Sequence, residues 1–230
     1  MKLCRFELTE SPGVARAGLF HEGKYYETDG ERALGIHDLN KLRLLPPVGV
    51  PPTIRVFDSA ESYRYVNTAS LLGPLGNLDL PTGASFVTSK LRLAVIIKDR
   101  GTLITEEEAS EFVLGFTTFI EFTAPGLDDL PSACGPFIQT TEESPTLFSV
   151  DADPLDWAIS VNGVPHAAGT SPLPLDPRAA IVRCTRFNYV QTGDLIVLPP
   201  FDVGPERQLQ PGDTLHCHIK ALDPMNLHIL

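Results

Sequence analysis

The chain has 230 residues and a formal net charge of −11, with 43% hydrophobic and 20% charged residues. That is the composition of a globular protein rather than a disordered one, and a chain of this length can build a core with no disulfide or metal. The acidic balance argues against a nucleic-acid backbone or an anionic membrane as partner, because both attract clustered Lys and Arg.

The opening Met1-Lys2-Leu3-Cys4-Arg5-Phe6 lacks the apolar run of a signal peptide. No stretch approaches the ~18 uninterrupted apolar residues of a membrane-crossing helix, so a cytoplasmic location is expected. Residues 2–8 alternate apolar and polar as a half-buried strand does, and residues 14–20 and 24–27 flank a turn at His21-Glu22-Gly23. A short amphipathic piece over 34–45 runs into Pro46-Pro47-Val48, and the proline-rich 46–52 reads as a stiff linker. This spacing predicts a small β-rich N-terminal domain with its linker over residues 1–50, and a main domain over 51–230.

In the main domain, residues 91–97 read as a strand closed by the turn Lys98-Asp99-Arg100-Gly101. The next segment predicts an α-helix. Thr105-x-x-Glu108 is a capping box, Ala109, Phe112, Val113 and Phe116 keep helical spacing, and Gly115 supplies a stop. Residues 117–123 return to β-favouring types. Further strands are expected over 137–140, 157–161, 195–198 and 214–221, with a second short helix within 178–189. Asn162-Gly163, Thr192-Gly193-Asp194 and Pro211-Gly212-Asp213 mark hairpins or tight corners. With 21 prolines and 18 glycines in no collagen-like period, the fold class is mainly β with a few helices.

Cys4, Cys134, Cys184 and Cys217 are far apart and form no C-x-x-C, so buried, reduced thiols are expected. Cys134 has no His fixed beside it by the sequence and makes a poor nucleophile candidate. His216 and His218 share a face of their strand, which is enough for two metal ligands but is more often a solvated pair. Glu106-Glu107-Glu108 is an acidic first turn suited to a helix dipole, not a ligand set.

Taken in order, several short segments resemble the fumarylacetoacetate hydrolase superfamily. They are Met1-Lys2-Leu3-x-Arg5-Phe6, Arg43-Leu44-Leu45-Pro46-Pro47-Val48, Leu72-Gly73-Pro74, Leu93-Ala94-Val95-Ile96-Ile97 and Gly135-Pro136-Phe137-Ile138. Val161-Asn162-Gly163, Thr170-Ser171, Gly193-Asp194 and Pro211-Gly212-Asp213 close the series. The resemblance is collinear over nearly the whole chain. It implies an antiparallel β-roll with a small β-rich N-terminal domain, usually a homodimer. It also implies one Mg²⁺ or Mn²⁺ held by carboxylates, acting on 1,3-dicarbonyl or 2-oxo-acid compounds. A hard cation chelated by two substrate oxygens stabilises enolate charge, and a His beside a Glu moves protons.

The resemblance departs from the family pattern where that chemistry belongs. The family's E-x-E, two carboxylates on one face of a strand, falls at Lys90 and Arg92. A third carboxylate position holds Glu121. The family's R-D-F-x-x-F-E-x-H falls on Arg55-Val56-Phe57-Asp58-Ser59-Ala60-Glu61-Ser62-Tyr63, with Val56 for the Asp, Tyr63 for the His, and Glu61 kept. Asp58 would serve as a ligand only with a shifted backbone. The T-G-T-P segment becomes Leu198-Pro199-Pro200-Phe201, and the loop 124–129 carries no Lys. Two unit charges 4 Å apart interact by about 4 kcal/mol at an effective dielectric near 20, so Lys90 and Arg92 would repel a divalent ion.

No metal and no other cofactor is therefore expected, although Mg²⁺ or Mn²⁺ is the family norm. Lys90 and Arg92 are candidates for binding an anion, with Arg92 bidentate. The competing structural reading pairs Arg92 with Glu121 in a closed pocket, or leaves both cations in water. Glu61, Tyr63 and Glu121 are the remaining candidates for a degenerate catalytic set. The expected function is a homologue that is non-catalytic, a pseudoenzyme, or that acts without a metal on a small carboxylate or 1,3-dicarbonyl ligand. The alternative is a metal-dependent hydrolase, isomerase or decarboxylase whose ligands lie elsewhere in the chain.

Overall fold

The computed structural model describes residues 2–127, 130–142, 153–201 and 207–230. In chain order the first strands are β1 (Lys2–Leu8), β2 (Ser11–His21), β3 (Lys24–Thr28), β4 (Ala33–His37), β5 (Leu42–Leu45), β6 (Ile54–Phe57) and β7 (Tyr63–Val66). Then come β8 (Leu71–Leu72), β9 (Asn77–Leu78), β10 (Thr88–Ile97), β11 (Gly101–Thr102), β12 (Val113–Thr123), β13 (Ser132–Cys134) and β14 (Gln139–Thr140). The last part holds β15 (Leu155–Val161), β16 (Val164–Ser171), the helix α1 (Pro177–Thr185), β17 (Tyr189–Val190), β18 (Leu195–Val197), β19 (Thr214–Ile219) and β20 (Met225–Ile229).

These strands form a mainly β, largely antiparallel roll. The N-terminal strands make one sheet in the order β4-β3-β2-β1-β5, antiparallel throughout. A central sheet runs β7-β6-β18-β10-β12-β13-β8, with β14 also on β12, and a third runs β16-β15-β19-β20-β9. The parallel pairs are β6 with β18, β13 with β8 and β20 with β9. The N-terminal sheet leans on the rest through Phe137, whose ring stacks on Phe20 at 4.7 Å.

The long β10–β12 ladder forms the spine. Period-2 alternation sends Leu91, Leu93, Val95 and Ile97 into the largest core, with Phe116, Ile120 and Phe122 of β12. Ala94 and Ile96 face a second core built with Val56, Phe119 and Val197. Lys90 and Arg92 therefore belong to the second face, at its polar end.

The helix expected from Thr105 is not α-helical. The capping box forms, with the Thr105 N–H bonded to Glu108 Oε2 at 3.1 Å, but only a 3₁₀ turn over Ala109–Phe112 follows, and β12 starts at Val113. Spacing misled here because β12 is buried along most of both faces, so its apolar residues are too dense to show one period. Gly115 is not a helix stop. A Cβ there would lie 2.2 Å from the Gln139 carbonyl oxygen, so glycine admits β14 to the ladder. The second helical segment is α1, the one α-helix among the described residues. It is capped by Asp176, whose side chain accepts from the Arg178 N–H, with Pro177 opening its first turn. The piece over 34–45 is divided between β4, a 3₁₀ turn and β5. Asn162 and Gly163 both have positive φ, 53° and 75°, and close the β15–β16 hairpin.

Candidate functional site

The site grows from the β10–β12 register. Lys90 stands opposite Glu121, and Arg92 opposite Phe119, so Glu121 reaches Arg92 diagonally on the same face. Arg92 is only 1% exposed. Its Nη1 donates to the carbonyls of Phe57 at 2.7 Å and Leu198 at 3.1 Å. Its Nη2 lies 2.6 Å from Glu121 Oε2, an ion contact outside hydrogen-bonding angles, and 3.5 Å from Asp58 Oδ1. Arg92 Nε is buried with no hydrogen-bond partner.

A second guanidinium completes the cluster. Arg64 Nη2 donates to Glu121 Oε1, and Arg64 Nε donates to Asp58 Oδ2 at 3.0 Å. Two arginines and two carboxylates thus alternate around a closed set of contacts. Burial works against the Arg64 charge, but the hydrogen bond and attraction of Glu121, joined by Asp58, outweigh it and raise its pKa. No motif or spacing in the sequence singles out Arg64. The β6–β7 hairpin brings it in by pairing Val56 with Arg64, on the face of the second core.

Main-chain groups lock the surroundings. The segment Leu198-Pro199-Pro200-Phe201 follows β10, with the Leu198 N–H bonded to Leu93 O and the Phe201 N–H to Leu91 O. Its two prolines offer no N–H, and its contribution to the cluster is the Leu198 carbonyl on Arg92. Beside the cluster, Arg64, Val66, Glu121, Thr123, Leu127 and Ser132 line a cleft of about 360 Å³. The loop without a Lys lies only partly within the described residues.

Glu61 and Tyr63 are not brought to this cluster. Alternation along β7 puts Tyr63 on the face opposite Arg64, where its ring packs on Phe57 at 5.2 Å and burial raises its pKa. Glu61 is exposed and pairs with Arg183 at 3.2 Å. Both open onto a different cleft, of about 400 Å³, with Arg183, Arg186 and Phe187.

The other candidates stand apart. His216 Nδ1 is 2.8 Å from Asn226 Oδ1 on the neighbouring strand. Among the described residues, no three His, Cys, Asp or Glu side chains gather as a metal-holding group. All four cysteines are free and buried, and burial pushes every thiol pKa upward, Cys184 to about 11. Trp157 Nε1 donates to the Ser171 hydroxyl at 3.1 Å, which gives Ser171 a structural partner. No helix is long and apolar enough to cross a membrane among the described residues.

The fumarylacetoacetate (FAA) hydrolase C-terminal family matches residues 55–229. An uncharacterized protein of Pyrococcus horikoshii is 24% identical over 180 residues, covering 70% of this chain and 74% of that protein. Two solved structures share the fold over 100% of this chain. One is maleylpyruvate hydrolase from Sphingobium sp. SYK-6 in complex with manganese(II) ion and pyruvate, at TM-score 0.80, 19% identity and 99% of its chain. The other is 5-carboxymethyl-2-hydroxymuconate delta-isomerase from Mycobacterium smegmatis, at TM-score 0.81, 18% identity and 98% of its chain.

Proposed function

The chain belongs to the fumarylacetoacetate hydrolase family, and on that premise we propose that it is a non-catalytic member that holds no divalent cation. The observation that carries this reading is the place of Arg92. Its guanidinium is buried among the Phe57 and Leu198 carbonyls and the Glu121 carboxylate, at a position where the family resemblance implies a metal-binding carboxylate. Of the two buried atoms there without a hydrogen bond, Arg92 Nε is a donor that opposes a cation, and Glu121 Oε2 is an acceptor already facing Arg92 Nη2 at 2.6 Å. Asp58 and Glu121 are both already held by guanidinium groups. This donor set does not fit Mg²⁺ or Mn²⁺, which need free oxygen ligands. Glu61 and Tyr63 enter this reading as surface and packing residues rather than as an acid–base pair.

A second reading keeps a ligand without a metal. The cleft beside Arg64 is about 360 Å³, and the Arg64 side chain is 45% exposed on its wall. A small carboxylate entering there would take the place of Glu121 or Asp58 on Arg64, beside Lys90 in the ladder.

Titration calorimetry with MnCl₂ on chelator-stripped protein, followed by assay with an acylpyruvate and with oxaloacetate, tests the main reading. No saturable Mn²⁺ binding and no turnover is the expected outcome. Stoichiometric Mn²⁺ binding with turnover of either compound sinks it. A melting-temperature rise with small carboxylates that Arg64→Ala abolishes would select the second reading.

A further inference from the structure

We propose that the cleft between Phe187 and Arg100 binds a mononucleotide, with the base stacked on the Phe187 ring and the phosphate on the Arg100 guanidinium. The cleft measures about 560 Å³ and is lined by Arg100, Gly101, Thr102, Phe187, Asn188 and Tyr189. That volume falls within the range of about 300–1,000 Å³ that small-ligand sites occupy. The cleft is distinct from the Arg92 cluster, since Arg100 follows the end of β10 and Arg92 stands in its first half. Phe187 is 89% exposed, an aromatic ring left in water. Arg186 stands over this ring at 5.1 Å but lines the neighbouring cleft, which leaves the other face of the ring to a planar ligand.

Arg100 supplies the contact for an anion. Its guanidinium stands over the Tyr189 ring at 4.7 Å. Stacking uses the flat face of a guanidinium and leaves its in-plane N–H groups free, in the fork that takes a phosphate bidentately. Among the described residues Arg100 has no carboxylate partner, and it is the one charged side chain lining this cleft. Glu106 lies on the other side of Phe187, in the cleft with Arg186. In a chain of net charge −11, an unpaired cation in a cleft without a carboxylate specifies an anion. A single nucleotide brings its phosphate to that one spot, whereas a nucleic-acid strand would lay further phosphates over a surface in acidic excess.

The wall between ring and cation is polar and fixed. Gly101 and Thr102 pair with Val190 and Tyr189 in a short antiparallel ladder, and Thr102 Oγ1 donates to the Asn188 carbonyl at 3.0 Å. Asn188 Nδ2 donates to the Tyr65 hydroxyl at 3.1 Å, and the buried Arg55 holds the Tyr189 carbonyl at 2.6 Å. A site fixed in this way has little ordering entropy left to lose on binding. Main chain, a hydroxyl and an amide between the two anchors suit a sugar rather than an apolar spacer.

Calorimetric titration of the whole chain with adenosine 5′-monophosphate (AMP), at low salt and without added metal, tests this independently of the Arg92 cluster. Saturable one-site binding is expected, and it should weaken as salt rises. Adenosine, which lacks the phosphate, and ribose 5-phosphate, which lacks the base, should each bind at least about fivefold more weakly. Phe187→Ser should weaken AMP binding by at least about fivefold, the smaller end of what a base–aromatic stack contributes. Arg100→Gln should weaken it roughly tenfold, remove the salt dependence and leave adenosine binding unchanged. No saturable binding by the wild type, ribose 5-phosphate binding as tightly as AMP, or a single-stranded oligoadenylate binding more tightly than AMP would overturn the proposal. So would variants with native circular dichroism spectra that bind AMP as the wild type does.

Discussion

Arg92 and Glu121 meet diagonally across the β10–β12 ladder, with 2.6 Å between guanidinium and carboxylate, although Arg92 is registered opposite Phe119. Both side chains are almost wholly buried, so each charge depends on the other.

Removing one partner of a buried pair costs about 3–5 kcal/mol, because the other charge stays in the interior. Arg92→Met should lose that much in urea denaturation. Replacing both, Arg92→Met with Glu121→Leu, should return most of it, since a well-packed apolar pair is often as stable as the ions. Losses that simply add in the double variant would show that the two side chains are not coupled.

Mn²⁺ affinity should not appear when the Lys90 charge alone is removed. Lys90→Ala leaves the Arg92 contacts in place, and calorimetry is expected to show no Mn²⁺ binding for this variant. Stoichiometric binding would place the metal ligands somewhere the cluster does not reach.

Gly115→Ala is expected to destabilise the chain by roughly 1–3 kcal/mol, the usual range for overpacking. The added Cβ would lie 2.2 Å from the backbone oxygen of Gln139, which cannot rotate away as a side chain would. An unchanged urea midpoint would mean that β14 is not seated against β12.

The acid limb of stability should depend on Glu27. Burial raises its pKa, but hydrogen bonds from Arg16 and His37, with their attraction, outweigh it and hold the pKa below the ordinary 4.5. A depressed folded pKa contributes stability that is fully present above the unfolded value and is lost as pH falls through the folded one. Glu27→Gln should therefore flatten the decline in urea midpoint below about pH 4.5 and change little of its slope from pH 5 to 7. An unaltered acid limb would count against this.

Thiol chemistry gives a direct readout of packing. With Cys184 raised to about 11 and Cys4 and Cys217 to about 12 by burial, few thiolates exist near neutral pH. A thiol reagent should label the native chain slowly and all four cysteines at once in denaturant. Fast labelling of any one in native buffer would place that thiol at the surface.

Short-range patterns were legible wherever one chemical demand dominated. Asn162-Gly163 specified its hairpin because both residues tolerate positive φ, and Leu91 to Ile97 specified a strand by composition. That Lys90 and Arg92 share a face also follows from their spacing alone. The segment from Ala109 to Phe116 failed because burial on most of both faces removes the period that separates strand from helix. Glu61 and Tyr63 fell away from the cluster because motif order carries no information about which face a residue joins once the strand register is set. Arg64 was missed for the same reason, since its role exists only through the β6–β7 pairing.

The sequence by itself determined a mainly β chain of acidic charge, its family resemblance and the positive charge at Lys90 and Arg92, since composition, turn chemistry and alternation are local properties. Tertiary structure alone decided what that charge meets. Strand register brings Asp58 and Arg64 from the β6–β7 hairpin and Glu121 from β12 around Arg92, so the Arg92–Glu121 pair that the residues allowed is joined by a second guanidinium and a second carboxylate. Charge balance in a buried site depends on distances of a few ångströms, which no linear order of residues contains.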